Sequence, residues 1–137
     1  MSAHTFIIIG SVIVSLMGAY HLYATYFTPL FTPNDPEMLD RMKRFHAPIT
    51  DQTNLWRAWL GFNGSHSSGA IFFGSVNLML AWSQPDWYAS AWGLQVLNLM
   101  MLGFYIFLAK KFWFKLPLIG ISLSSLFFLI GNLLLWV

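Results

Sequence analysis

The segment Leu55–Trp82, LWRAWLGFNGSHSSGAIFFGSVNLMLAW, restricts the fold more than any other part of the chain. About 20 helical residues, at about 1.5 Å each, cross the hydrocarbon core of a bilayer, and this run exceeds that length. Its first half nevertheless carries Arg57, Gly61, Asn63, Gly64, Ser65, His66, Ser67, Ser68 and Gly69. Polar and ionisable groups are costly at membrane depth, so they face a bundle interior or a cavity. Such a helix needs neighbours on more than one side, which places it at the centre of a helical membrane protein.

Three further runs supply those neighbours: Thr5–Phe27, Trp87–Ala109 and Pro117–Val137. The expected fold is therefore all-α, an integral membrane four-helix bundle formed by residues 1–137 as a single domain. Composition agrees, with 57% hydrophobic and 9% charged residues against roughly 25% charged in soluble domains. All seven Lys and Arg fall in or beside two connections. Arg41, Lys43, Arg44 and Arg57 flank the first, and Lys110, Lys111 and Lys115 fill the third. The positive-inside rule puts both connections in the cytoplasm and both termini outside. Tryptophans mark two belts, Trp56, Trp59 and Trp113 inside and Trp82, Trp87, Trp92 and Trp136 outside. The N-terminal residues lack a basic region and a small-residue cleavage site, so the first helix is expected to be retained.

The first connection, Thr28 to Asn54, is the only long one. Its TPLFTPNDPE stretch predicts an extended start. Asn34 or Asp35 then caps a short helix opened by Pro36, with Met38, Leu39, Met42 and Phe45 on one face. This amphipathic helix is expected at the cytoplasmic interface. Thr50 is the expected cap of the second spanning helix.

Three polar positions gather near mid-bilayer. Rise per residue puts His66 roughly 16 Å from the inner end of its helix, and Gln95 and Asn98 roughly 12–17 Å from the outer end of theirs. His66, Gln95 and Asn98 can thus meet, as fastener or as site. His21, on the first helix, lies roughly 10 Å from the inner end. Gly61, Ser65 and Gly69 recur every four residues, a spacing suited to close helix crossing. Arg57 stands where it can snorkel, or hold the phosphate or carboxylate headgroup of an amphiphile.

Several chemistries are excluded. No cysteine is present, so there is no disulfide, thiolate site or cysteine nucleophile. All five acids lie in connections, which removes carboxylate pairs and acidic ion paths from the membrane. The scattered histidines have no partner at i, i+4, so no metal site and no catalytic residue is assigned. A net charge of +2 argues against nucleic acid. A b-type haem on His21 and His66 requires the two rings at one depth, and the estimates differ by roughly 6 Å. No cofactor is identified.

The WRAWLGFNGSH run, the FTPNDPEMLDRMK connection and KKFWFKLPLIGIS together resemble an uncharacterised family of small four-helix bacterial inner-membrane proteins. The resemblance implies the fold and a multi-pass inner-membrane location with periplasmic termini, and it implies no activity. A weaker, topological likeness is to membrane-associated proteins of eicosanoid and glutathione metabolism. Their second helix carries an R-A…N-x-x-E pattern; here Arg57-Ala58 and Asn63 are present, the spacing differs, and His66 replaces the glutamate. The function expected is that of a non-catalytic accessory subunit of a membrane complex, or a lipid-binding module. The partners expected are membrane lipids, with a homo-oligomer or a larger complex around the chain. The alternatives are a haem protein and an enzyme acting on an amphiphile. The ligand-binding candidates are His21, Arg57, Asn63, His66, Gln95 and Asn98.

Overall fold

The computed structural model describes residues 2–137. They form helices and turns, with no strand among the described residues. The elements are α1 (Ala3–Phe27), α2 (Pro36–Arg44), α3 (Leu55–Ser83), α4 (Pro85–Ser90), α5 (Trp92–Phe112) and α6 (Lys115–Trp136). The fold is all-α. Three helices, α1, α5 and α6, are long and apolar enough to cross a membrane by length and composition. At 29 residues α3 has the length, but its polar first half keeps it out of that group.

The helices divide into two compact units. One comprises residues up to Met17 with Ala70–Val137, and the other is Gly18–Gly69. In the first unit α5 and α6 pack together, joined through Trp113 and Phe114 alone. Ile7, Val14, Tyr88, Leu102, Ile121 and Phe128 form its core. Ser124 Oγ donates to the Gly10 carbonyl at 2.8 Å, fixing α6 on α1. On α3, a Cβ at Gly74 would lie 2.5 Å from the Ser11 carbonyl oxygen, so glycine is what lets the two backbones touch. His4 Nε2 bonds the Pro85 carbonyl at 3.1 Å and ties the start of α1 to the α3–α4 turn.

The expected single helix over Trp87–Ala109 is interrupted. Ala91, at φ −85° and ψ 54°, separates α4 from α5. A backbone carbonyl released in apolar surroundings must find a donor. Tyr88 O accepts from the Ala91 N–H at 3.2 Å, and the buried Gln95 side chain adds a donor to it at 2.6 Å and to Ala89 O at 3.2 Å. Its own Oε1 accepts from Trp136 Nε1.

In the second unit the first connection is more folded than expected. Thr28 is extended, but Pro29–Phe31 form one turn of 3₁₀ helix. The Thr28 hydroxyl donates to Ala24 O at 2.7 Å and accepts from Leu30 N at 3.2 Å, and Pro29 carries the fixed φ of a first helical position. Asp35 caps α2 through Glu37 N at 2.9 Å, as its sequence requires. The cap of α3 is Asn54, which accepts from Arg57 N at 2.9 Å. Thr50 closes a turn instead, accepting from Gln52 N at 3.1 Å. The Leu55 N–H donates to Phe45 O at 2.9 Å and joins the end of α2 to the start of α3.

Candidate functional site

Two polar clusters lie inside these units, and they differ in kind. The first is built on Asn77, Tyr88 and Asn98. Asn98 Nδ2 donates to Asn77 Oδ1 at 2.6 Å, and Asn77 Nδ2 returns to Asn98 Oδ1 at 3.4 Å and to the Phe73 carbonyl at 2.9 Å. The Tyr88 hydroxyl donates to the same Asn77 oxygen at 3.2 Å. Exposure is 3% or less at all three residues. This cluster is closed and mutually satisfied, which is the arrangement of a fastener. Asn98 and Gln95 thus find their partners in Asn77, Tyr88 and Trp136 within the first unit. Asn77 was visible as a polar position on α3; its pairing depended on which helix faced it.

The second cluster, in the second unit, joins His21, Asn63 and His66. His21 Nε2 and Asn63 Oδ1 lie 3.0 Å apart. The His66 ring meets the His21 ring edge to face, with centroids 5.4 Å apart. The Phe31 ring also packs on the His21 ring edge to face, with centroids 4.5 Å apart. The 3₁₀ turn brings Phe31 there, and Trp59 Nε1 holds it by donating to the Phe31 carbonyl at 2.9 Å. Both histidines and Asn63 are only half-buried. Phe31 was not singled out by sequence, and Trp59 was read only as part of the inner tryptophan belt; the Trp59–Phe31 bond spans the long connection and has no local signal.

Rise along the helices separated the two rings by roughly 6 Å, and yet they touch. Helix side chains lean toward their own N-terminus. Contacts run His21 with Asn63 and His66, and Tyr26 with Leu60, so α1 and α3 are antiparallel here. The two leans therefore converge and close the gap.

The amide of Asn63 fixes the chemistry of His21. The Trp59 carbonyl can only accept, so Asn63 Nδ2 sits against it at 2.8 Å, and Oδ1 faces the imidazole. That oxygen requires a proton on Nε2, which in the neutral ring leaves the lone pair on Nδ1. His21 is thus an oriented imidazole with a defined accepting nitrogen. Thr25 completes the support by donating to the His21 carbonyl at 2.8 Å.

Arg57 lies elsewhere on α3, exposed at the rim of a cleft of about 300 Å³. Lys43, Arg44, His46, Asp51 and Asn54 share that rim. The described residues contain no group of three or more histidines or acids placed to hold a metal ion. No family model, curated protein or solved structure matches the chain.

Proposed function

We propose that this protein is a lipid-binding module of a bacterial inner membrane, acting without catalysis as an accessory subunit. In this reading α1, α3, the α4–α5 pair and α6 are four spans of one bundle. Lys43, Arg44, Arg57, Lys110, Lys111 and Lys115 mark the cytoplasmic side, and both termini are periplasmic. The observation that carries the reading is the contrast between the clusters. Asn77–Tyr88–Asn98 is sealed and complete, whereas His21–Asn63–His66 is oriented, rimmed by aromatic rings and half-open. A purely structural fastener has no need to remain accessible. A polar group of an amphiphile set against His21 Nδ1, with its apolar part along Phe31 and Trp59, matches both halves of that surface.

Native mass spectrometry of the chain, extracted gently from its own membrane, tests this. The expected result is a retained amphiphile that His21→Ala and His66→Ala lose while keeping their helical content. A bare chain mass in the unaltered protein sinks the reading.

The orientation of His21 favours a second reading, an enzyme acting on an amphiphile with His21 as the base. Conversion of the retained compound by the purified protein, abolished in His21→Gln, would establish it. A haem between the two imidazoles has less support, because rings in direct edge contact leave no plane between them for a porphyrin.

A further inference from the structure

A cleft opens at the start of α3. Its rim carries three cations, Lys43, Arg44 and Arg57, against one carboxylate, Asp51. Arg44 is already paired with Asp40, one turn back on α2. Lys43 and Arg57 make no ion pair among the described residues. They come from different elements, one near the end of α2 and one in the first turn of α3. The Leu55 N–H to Phe45 carbonyl bond holds those elements together, so the two cations face one space and are not scattered over a surface. The helix terminus itself is not the attraction, since the N–H groups of Leu55 and Arg57 are bonded to Phe45 O and Asn54 Oδ1. The volume, about 300 Å³, is at the lower bound of small-ligand pockets, roughly 300–1,000 Å³. It suits a compact, multiply accepting anion, and Arg beside Lys is the pairing that recognises phosphate.

The cleft is lined by polar and charged residues, and two apolar side chains stand open in the segment that supplies part of its rim. Phe45 is 61% exposed and Ile49 is 89% exposed. Both lie in the segment that also supplies Lys43, His46 and Asp51. Cations next to open apolar side chains match the boundary between headgroups and acyl chains.

We propose that Lys43 and Arg57 bind the phosphate of an anionic phospholipid. This rests on the lipid-binding reading and adds to it a second, headgroup-selective site apart from His21. The test uses the full chain in mild detergent, titrated with phosphatidylglycerol, with phosphatidylcholine and with inorganic phosphate, and read by native mass spectrometry. Phosphatidylglycerol is expected to be retained in preference to phosphatidylcholine, and millimolar inorganic phosphate is expected not to displace it. Lys43→Gln with Arg57→Gln should weaken phosphatidylglycerol binding about 30-fold, which is about 2 kcal/mol at about 1 kcal/mol per cation and 1.4 kcal/mol per tenfold. Phosphatidylcholine binding should be unchanged, which also shows that the double variant is folded. Equal retention of both lipids, or an unaltered preference in the double variant, overturns the proposal. Displacement by inorganic phosphate assigns the site to a free anion and overturns it as well. The outcomes separate from those of the parent reading: His21→Ala should leave the headgroup preference intact, whereas failure to retain any lipid removes both.

Discussion

Buried amides in this protein come in two conditions, and each condition predicts a different response to the same substitution. Asn98 is satisfied by Asn77 and Tyr88. Asn98→Leu would leave Asn77 Oδ1 with only the tyrosine donor and Asn77 Nδ2 with only the Phe73 carbonyl. An interhelical bond in a membrane is worth about 0.6–2 kcal/mol, and losing it inside a sealed cluster should cost about 1–3 kcal/mol. Asn132 is equally buried, at 0% exposure, but neither its Nδ2 nor its Oδ1 has a hydrogen-bond partner among the described residues. Removing an unsatisfied polar group with little change of volume is neutral or stabilising, so Asn132→Leu should hold or raise the unfolding midpoint. Thermal or denaturant unfolding of the two variants side by side checks the sign; a loss at Asn132 as large as that at Asn98 would contradict this account. The imidazole tautomer is a third consequence at this scale. With Asn63 held by Trp59 O, nitrogen chemical shifts should report the Nε2–H form of His21, and Asn63→Leu should release the ring into a mixture of tautomers. A ring that stays in one tautomer in that variant would show that Asn63 does not orient it.

Helix contacts were readable from the sequence only in part, and the glycines of α3 show why. Gly61, Ser65 and Gly69 have the spacing of a close crossing, yet a Cβ at Gly61 or Gly69 would meet nothing within 4 Å. The close approaches fall at Gly64, against the Tyr26 hydroxyl, and at Gly74, against Ser11 and Ser15 of α1. Spacing identifies a face; which face is covered depends on where α1 lies, and that is a tertiary fact. Gly74→Ala sets a methyl group against backbone and should cost about 1–3 kcal/mol. Gly61→Ala removes a helix-weakening glycine in open space and should gain up to about 1 kcal/mol. Equal effects in an unfolding assay would show that α1 and α3 do not meet at Gly74. Local signals fared better. Asp35 followed by Pro36 located the start of α2; the apolar run began at Leu55 as α3 does, but the cap expected at Thr50 lies four residues early, the cap being Asn54. The break at Ala91 was invisible, because neither proline nor glycine stands there. The residue that sustains it, Gln95, is four positions on and looked like one more mid-membrane amide. The His21–His66 contact was hidden for another reason: counting rise per residue places Cα atoms, and two antiparallel side chains lean across the remaining distance.

At the scale of the whole molecule, the proposed function depends on how the helices would thread a membrane. α1, α5 and α6 have the length and apolar character of spans. For α3 the two halves differ. Its second half, from Ala70, belongs with the apolar core of the first unit, and its first half carries the His21–Asn63–His66 cluster and ends at the basic cleft. Were α3 to lie along the membrane surface, the α2–α3 connection and the α3–α4 turn would be on the same side. Were it to span, they are on opposite sides, and the number of spans becomes even. The proposed topology is the second case, which is the one the positive-inside rule favours: Lys43, Arg44 and Arg57 stand at one end of α3, and no Lys or Arg stands near Gln84 at the other. The chain has no cysteine, so single cysteines can be introduced without first removing others. A cysteine at the exposed position Gln84 should react with a membrane-impermeant thiol reagent added to intact cells. A cysteine at the exposed position Gln52 should react only after the membrane is opened, and so should one at Lys111. Ser2→Cys should behave like Gln84→Cys. Labelling of Gln52 and Gln84 from the same side would take α3 out of the membrane. If that side is the outer one, the basic cleft would also be separated from the cytoplasmic leaflet, where the proposal needs anionic lipid to meet Lys43 and Arg57.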